Sequence, residues 1–422
     1  MEKTNYTEYY DLLKKELVPA YGCTEPATLA YASALASSLL ESFPIEISVE
    51  CSSSVIKNVF SVSIPNAKDM RGPRAAVILG AIISDPSLEL CVLQNISEKQ
   101  LEKAYALYNE DFCSVRLANN YDCLYIKVFA RTDCNSIEVE IINEHTNVVS
   151  IKKNGIAIET SCIKKTSSPD KSFLSVKGII DFADNCDIFL IKDLLEREIE
   201  YNTEISENGL MNDWGISVGK NLMQFYDNSD IRIRARAHAA AASDARMAGC
   251  VLPVIINSGS GNQGLTVSLP VIEYAKAYGI SYEKLLRGLV VSNLIAILQK
   301  RTVGNLSAFC GAVHAAAGAA CGICYMIDGT YDDISNVISF TLGTVGGMIC
   351  DGAKSSCAAK ISEALDTALM GLQLAEKKKS LSAGDGLITG DIEKTIDNYG
   401  KVGKDGMNLT NEIVLNLMLK NA

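Results

Sequence analysis

The chain has 422 residues and a formal net charge of −11, with 39 Lys and Arg against 50 Asp and Glu. This length allows a large buried core and favours two domains, and an apolar fraction of 48% is ordinary for a globular protein. Because the basic residues form no cluster, the composition argues against a nucleic-acid partner, and we attribute the acidity to solubility.

The N-terminal segment carries charges throughout and lacks the apolar core of a secretory signal. We therefore expect a cytoplasmic protein whose fourteen cysteines stay reduced. The cysteine positions show no disulfide framework, so most of these residues are expected to be small, buried and apolar in character.

Helical and extended patterns alternate along the first part of the chain. Residues 6–17 and 25–40 predict helices, because apolar residues recur there with helical spacing. The β-branched stretches in 45–64 predict strands. Two further short helices are predicted at 74–84 and 97–109.

From residue 114 to 160 the apolar pattern has a period of two, in short runs such as "CLYIKVFAR" and "SIEVEIINE". This pattern predicts a three- or four-stranded antiparallel sheet. The helical period then returns, with helices at 181–201 and 207–224 among others. The predicted fold class is α+β, with a mainly helical body (1–44 and 176–422) that carries an inserted α/β domain (45–175) containing the antiparallel sheet.

Two stretches without charged residues, 302–327 and 334–350, approach or exceed the length of a membrane-spanning helix. A membrane carrier is therefore a remote alternative. Both stretches are rich in Gly and Ala and poor in Leu, Ile and Phe, which is typical of closely packed helices inside a large domain. We expect core helices and no membrane partner.

The segment 259–264, "GSGNQG", matches the G-x-G-x-x-G pattern of dinucleotide-binding folds. No βαβ alternation follows, and the acidic residue nearest the expected distance, Glu283, lies in a helical pattern, so an NAD-binding oxidoreductase is a remote alternative. The glycines still allow backbone N–H groups to converge on an anion near a helix N-terminus. An ordinary turn between helices is the competing interpretation. The predicted carboxylate-binding residues are Asn257, Ser258, Gly259, Ser260, Gly261, Asn262 and Gln263.

Cys23 stands directly before a predicted helix, in "YGCTEPATLAYA". The helix dipole should lower the pKa of its thiol and favour a thiolate, which would be a nucleophile or a metal ligand. Cys310 has a similar position, Cys350 lies among glycines, and Cys357 follows seven residues later. Three such thiolates would suit a [4Fe–4S] cluster, whereas zinc prefers tighter spacings. Spacing alone leaves the ligand set open.

Four motifs together resemble the L-cysteine desulfidase family, which is related to the iron–sulfur L-serine dehydratases and their alpha-chain-like relatives. The motifs are "GCTEPATLAYASALA", "LPVIINSGSGNQG", "CGAVHAAAGAACGI" and "GGMICDGAKSSCAAK", in this order over nearly the whole chain. The resemblance implies a [4Fe–4S] cluster in the helical body and no pyridoxal phosphate. It implies the ligands Cys23, Cys310 and Cys350. Cys357 is the alternate to Cys23, because the serine dehydratases take all their ligands from the C-terminal region.

The resemblance also implies a lyase that converts L-cysteine to sulfide, pyruvate and ammonia by β-elimination at an open cluster iron. L-serine dehydratase activity is the alternative. The partner would be a small amino-acid substrate, and a homodimer is compatible with the sequence. The base that removes the α-proton is not assigned, and His238, His314 and Lys354 are candidates by residue type. Lys354 could instead bind the substrate carboxylate.

Overall fold

A computed structural model describes residues 6–118, 124–159, 163, 170–304 and 306–420. The α-helices in this part of the chain are α1 (Thr7–Glu16), α2 (Thr24–Ser38), α3 (Ser53–Val59), α4 (Gly72–Ile83), α5 (Glu98–Tyr108), α6 (Val176–Asn185), α7 (Lys192–Met211), α8 (Val218–Phe225), α9 (Ile231–Met247), α10 (Gly261–Tyr278), α11 (Tyr282–Val303), α12 (Gly311–Met326), α13 (Tyr331–Val345), α14 (Ser356–Glu376), α15 (Ile392–Lys401) and α16 (Asn408–Lys420). The strands are β1 (Pro19–Tyr21), β2 (Glu46–Cys51), β3 (Cys113–Leu117), β4 (Tyr125–Arg131), β5 (Ser136–Ile142), β6 (Val148–Lys153), β7 (Ile156–Ala157) and β8 (Pro253–Ile255). The predicted α+β class is confirmed.

Six of these strands form one sheet in the order β3-β2-β4-β5-β6-β7. The predicted three- or four-stranded antiparallel sheet is wrong in strand number and in one pairing. The strands β4 to β7 pair antiparallel as predicted, but β2 also joins the sheet beside β4, and β3 pairs parallel with β2, so the sheet is mixed. The parallel pair arises because α3, α4 and α5 lie between β2 and β3 and bring the chain back to the same end of the sheet. The sequence pattern located these strands but did not show that β3 runs parallel to β2.

The prediction of strands throughout 45–64 is wrong in its second half, where α3 replaces a strand. Val55 and Val59 are both fully buried and lie four residues apart, which places them on one face of a helix. The spacing of these β-branched residues is therefore compatible with a helix as well as with a strand. Their local composition favours a strand, but the helix is formed because it buries both valines in the core.

The predicted helices at 181–201 and 207–224 have the wrong boundaries. The first prediction spans two helices, since α6 ends at Asn185 and α7 begins at Lys192. The second joins the end of α7 to α8, although Asn212 and Gly215 separate them, and Gly215 has a positive φ of 57°. α12 and the part of α13 after Asp333 contain no charged residue. No helix in the described ranges has the length and apolarity to cross a membrane.

The described residues form two large apolar cores. One is built from α1, α6 and α7 and from the helices α9 to α15, and the other lies between the sheet and the helices α2 and α4. The second core takes in α2 from Leu29 onward and also Leu415 near the C-terminus. The predicted domain boundaries at 44/45 and 175/176 remain a prediction.

Candidate active site

One cavity of about 100 Å³ brings together the four cysteines that the sequence singled out. Cys23, Cys310, Cys350 and Cys357 all contribute to its wall. They come from the N-terminus of α2, the N-terminus of α12, the segment between α13 and α14, and the first turn of α14. Residues more than 300 positions apart in the chain thus surround one small space.

Cys310 and Cys350 lie on two short extended segments that hydrogen-bond to each other. The N–H of Cys310 donates to the carbonyl of Met348 at 2.8 Å, and the N–H of Cys350 donates to that of Ala308 at 2.7 Å. The two thiols also interact by a hydrogen bond, which lowers the pKa of Cys350 and raises that of Cys310. The backbone pairing therefore holds two sulfur atoms side by side at the cavity.

Cys23 occupies the N-cap position of α2, but the prediction of a lowered thiol pKa is wrong. Its side chain is 3% exposed, and burial raises the pKa from 9.0 to about 12, although the guanidinium of Arg246 lowers it. A rise of that size corresponds to about 4 kcal/mol, whereas a helix N-terminus contributes about 0.3–1 kcal/mol. Loss of hydration outweighs the helix dipole.

Cys357 lies in the same small apolar cluster as Cys23. Its thiol contacts the carbonyl of Gly352 at 3.8 Å. Burial raises its pKa, and the neighbouring Cys350 raises it further. Both alternatives for the third ligand therefore face the cavity, and the choice between them stays open.

The glycine-rich segment divides between the cavity and the structure behind it. Gly259, Ser260, Asn262 and Gln263 line the cavity. Asn257 is fully buried, and its side-chain amide donates to Asn293 Oδ1 at 2.8 Å. The hydroxyl of Ser258 donates to Asn257 Oδ1, and Gly261 packs against the guanidinium of Arg246. Four of the seven predicted carboxylate-binding residues thus reach the space beside the cysteines.

The setting of this segment differs from a dinucleotide-binding unit. β8 precedes it and α10 follows it, but β8 has three residues and pairs antiparallel with β1. A Rossmann unit requires parallel strands joined by a crossover helix. A cavity of about 100 Å³ is also smaller than the roughly 300–1,000 Å³ of sites for drug-sized ligands.

The three candidate bases are not among the residues that line the cavity. His238 Nδ1 lies 2.9 Å from the hydroxyl of Ser206. His314 is 1% exposed, and burial and then Lys300 lower its pKa well below the usual range. Lys354 pairs with the carboxylate of Asp351.

Charged residues that the sequence analysis missed complete the wall: Glu25, Arg246 and Lys300. Arg246 is 4% exposed and Lys300 is 3% exposed. Burial lowers the pKa of Lys300 to about 8, against the raising influence of Cys350 and Cys310. Arg246 stands in the alanine-rich run "AAAASDARMAG". The same helix carries three other arginines, Arg232, Arg234 and Arg236, so its sequence does not set Arg246 apart.

Another buried cation holds the cysteine segment from behind. Lys57 is 1% exposed, and its ammonium donates to the carbonyls of Cys350 at 3.0 Å and Ser307 at 3.3 Å. Lys57 lies on α3, the helix that the sequence analysis predicted as a strand. The misassigned element therefore contributes directly to the geometry of the site.

The cysteine side chains at this cavity are suitable ligands for an iron–sulfur cluster. Cysteine thiolates are the ligands of such clusters, and four cysteines line this cavity. Within the described ranges, no three His, Cys, Asp or Glu side chains are arranged to hold a single metal ion. An iron–sulfur cluster does not require its ligands to converge on one point, because each thiolate binds its own iron atom.

A second cavity of about 1,030 Å³ lies beside the first, and Lys300, Leu306 and Ser307 line both. Its wall combines acidic and basic side chains, including Glu16, Lys171 and Asp397. The larger cavity therefore adjoins the cysteine cavity through a short shared wall.

Comparison with known proteins assigns the chain to a family. The profile described as serine dehydratase alpha chain matches residues 87–416. A UPF0597 protein of Lachnoclostridium phytofermentans is 47% identical over 416 residues, which cover 98% of this chain and 100% of the relative. UPF0597 proteins of Treponema denticola and Finegoldia magna are 42% and 43% identical, each over at least 99% of both chains. The chain belongs to the serine dehydratase alpha chain family.

Proposed function

We propose that this protein is a [4Fe–4S]-dependent lyase that does not use pyridoxal phosphate and converts L-cysteine to sulfide, pyruvate and ammonia. Membership in the serine dehydratase alpha chain family supports a lyase of the dehydratase type. The single observation that carries the proposal is the convergence of four cysteines and the glycine-rich segment on one small cavity.

Cys310 and Cys350 would hold the cluster, with Cys23 or Cys357 as the third ligand. When bound through three thiolates, the cluster would supply a Lewis acid for the β-substituent of the substrate. The surrounding residues fix the substrate in a space that admits little water, which favours productive orientation.

Lys300 is our proposed base for the α-proton. Lys300 is among the residues that line the cavity, unlike His238, His314 and Lys354. Removal of the α-proton by Lys300 Nζ, with loss of the β-substituent, gives aminoacrylate. This product tautomerises to an imine and hydrolyses to pyruvate and ammonia without further help from the protein.

L-serine dehydration is the second candidate function. The matching family profile names serine, and the cavity residues are compatible with either β-substituent. Sulfur as a soft ligand for iron favours cysteine.

The decisive assay uses protein purified without oxygen. We expect about four iron and four acid-labile sulfide per chain, sulfide and pyruvate released from L-cysteine, and lower turnover of L-serine. Turnover of serine without sulfide release from cysteine would assign the second function. Protein free of iron that turns over neither amino acid would refute both.

Cysteine variants test the ligand set in the same preparation. We expect Cys310→Ser and Cys350→Ser to lose iron and activity together, because both side chains line the cavity. Comparison of Cys23→Ser with Cys357→Ser identifies the third ligand as the one whose loss removes iron. Cys134→Ser is the control, since Cys134 is exposed in the turn between β4 and β5. Full iron content in Cys310→Ser would contradict the assignment.

A further inference from the structure

We propose that Arg246 and Gln263 recognise the two charged groups of an α-amino acid, Arg246 binding the carboxylate and Gln263 accepting a hydrogen bond from the ammonium. This inference rests on the proposed function, because it concerns the substrate of the same cavity. The proposed carboxylate contact thus lies on α9, and not in the glycine-rich segment where the sequence predicted it.

Arg246 has an unused donor inside the protein. Its side chain lines the cavity, and Nη1 donates to Asn262 Oδ1 at 3.1 Å. Nε is buried and has no hydrogen-bond partner among the described residues. No carboxylate within the described ranges forms a salt bridge with this guanidinium. Since a buried charge is costly unless it is paired, the arrangement indicates an anionic ligand.

Gln263 has the complementary unused acceptor. The residue is 5% exposed, and its Oε1 atom is buried without a hydrogen-bond partner in the part of the chain that the structure describes. Its side chain lines the same cavity as Arg246. An amide oxygen accepts hydrogen bonds and donates none, so it suits the α-ammonium group of a ligand and not its carboxylate.

Two glycines leave the space that these side chains occupy. A Cβ atom at Gly261 would lie 2.3 Å from Arg246 Nε, and one at Gly311 would lie 2.5 Å from Gln263 Cδ. Both contacts are too short for real atoms, so any larger residue would displace the recognition groups. Gly311 directly follows Cys310, which places the amide of Gln263 beside a proposed cluster ligand.

A zwitterion satisfies both atoms at once. A lone carboxylate would leave the Gln263 acceptor unused, and a lone amine would leave the Arg246 donor unused. Unpaired buried polar groups disfavour such ligands.

Calorimetry on anaerobic, cluster-containing protein tests the assignment with three probes. L-Alanine keeps both charged groups but has no β-leaving group, L-alaninol lacks the carboxylate, and propionate lacks the ammonium. We expect wild-type protein to bind L-alanine roughly 10- to 100-fold more tightly than either analogue, as charged hydrogen bonds allow.

Each variant should lose one preference only. Arg246→Lys should reduce the preference for L-alanine over L-alaninol by about tenfold, because Lys cannot reproduce the fork of a guanidinium, and should keep the preference over propionate. Gln263→Leu should reduce the preference for L-alanine over propionate by about tenfold, because leucine cannot accept a hydrogen bond from the ammonium group, and should keep the preference over L-alaninol. Arg236→Lys is the control, since Arg236 lies on the same helix and binds Ser362 and Asp366 instead. Iron content and thermal unfolding verify that each variant is loaded and folded.

The possible outcomes separate this inference from the proposed function. If wild-type protein releases sulfide from L-cysteine but both variants keep both preferences, the recognition pair is wrong and the function stands. If wild-type protein binds none of the three probes and turns over neither cysteine nor serine, both fail. A preference lost in the Arg236→Lys control as well would show that the effect is not local, and would also overturn the inference.

Discussion

Lys300 shows how burial changes the chemistry of a single residue. On the surface its amine would be fully protonated at neutral pH, but burial on α11 lowers its pKa to about 8. A lysine in this range can exchange a proton near physiological pH, which a catalytic base requires. Cys23 shows the opposite effect, since burial raises its pKa to about 12.

We predict that Lys300→Met abolishes most of the elimination activity while leaving substrate binding intact. The expected fall in kcat is roughly 10²- to 10⁴-fold, the usual contribution of a positioned base. Calorimetry with L-alanine and iron analysis should give values close to wild type. Lys276→Met is the control, because Lys276 is exposed on α10. Turnover within twofold of wild type in Lys300→Met would exclude Lys300 as the base.

At the scale of elements, a buried polar chain ties three segments together behind the site. The side-chain amide of Asn293 on α11 donates to both oxygens of Glu198 on α7, at 3.0 and 3.1 Å. Asn257, at the start of the glycine-rich segment, donates in turn to Asn293. Glu198 is fully buried, and burial raises its pKa from 4.5 to about 8 despite the hydrogen bonds from Asn293.

We predict that Glu198→Gln makes the protein less sensitive to alkaline pH. Because the folded pKa is raised, the stabilising contribution of Glu198 is present in full below pH 4.5 and is lost as pH rises through about 8. Over that window the free energy of unfolding should fall by up to about 1.4 kcal/mol per pH unit. Glutamine has no such titration.

Urea unfolding at about pH 5.5, 7 and 8.5 checks this prediction. The stability difference between Glu198→Gln and wild type should shift in favour of the variant as pH rises. Glu200→Gln, an exposed change on the same helix, should track wild type throughout. A constant difference across the three pH values would show that Glu198 does not titrate in this window.

On the scale of the whole molecule, the cysteine cavity joins residues from the first sixty positions of the chain to residues from its second half. Cys23 comes from the first helices, Lys57 from the segment after β2, and Cys310 and Cys350 from the last third of the chain. The larger cavity shares Leu306 with the smaller one. We infer that substrate reaches the cysteines through the larger cavity.

We predict that Leu306→Trp obstructs this passage. The larger indole should lower kcat/KM by about tenfold or more, equivalent to at least ~1.4 kcal/mol of added barrier, with iron content unchanged. Leu306→Val, which is smaller than the native residue, should retain wild-type kcat/KM. Unchanged kinetics in Leu306→Trp would place the entrance elsewhere.

Local sequence patterns anticipated much of the fold because they report short-range physics. The helical spacing in α1, α2 and α5 and the period of two in β4 and β5 come from residues that are neighbours in the chain. The patterns failed in α3, where the same residues are compatible with a strand and with a helix. They also failed between α7 and α8, where packing decides the point at which one helix ends and the next begins. The four motifs identified the family, and the matching profile confirms it.

The sequence by itself determined the fold class, the family and which cysteines to examine. Only the tertiary structure decided that Cys23 and Cys357 share a cavity with Cys310 and Cys350, and that Arg246, Lys300 and Lys57 surround them. The reason is physical: burial, pKa and unpaired hydrogen-bonding atoms depend on what packs around a side chain. Those neighbours come from distant parts of the chain, so no local pattern records them.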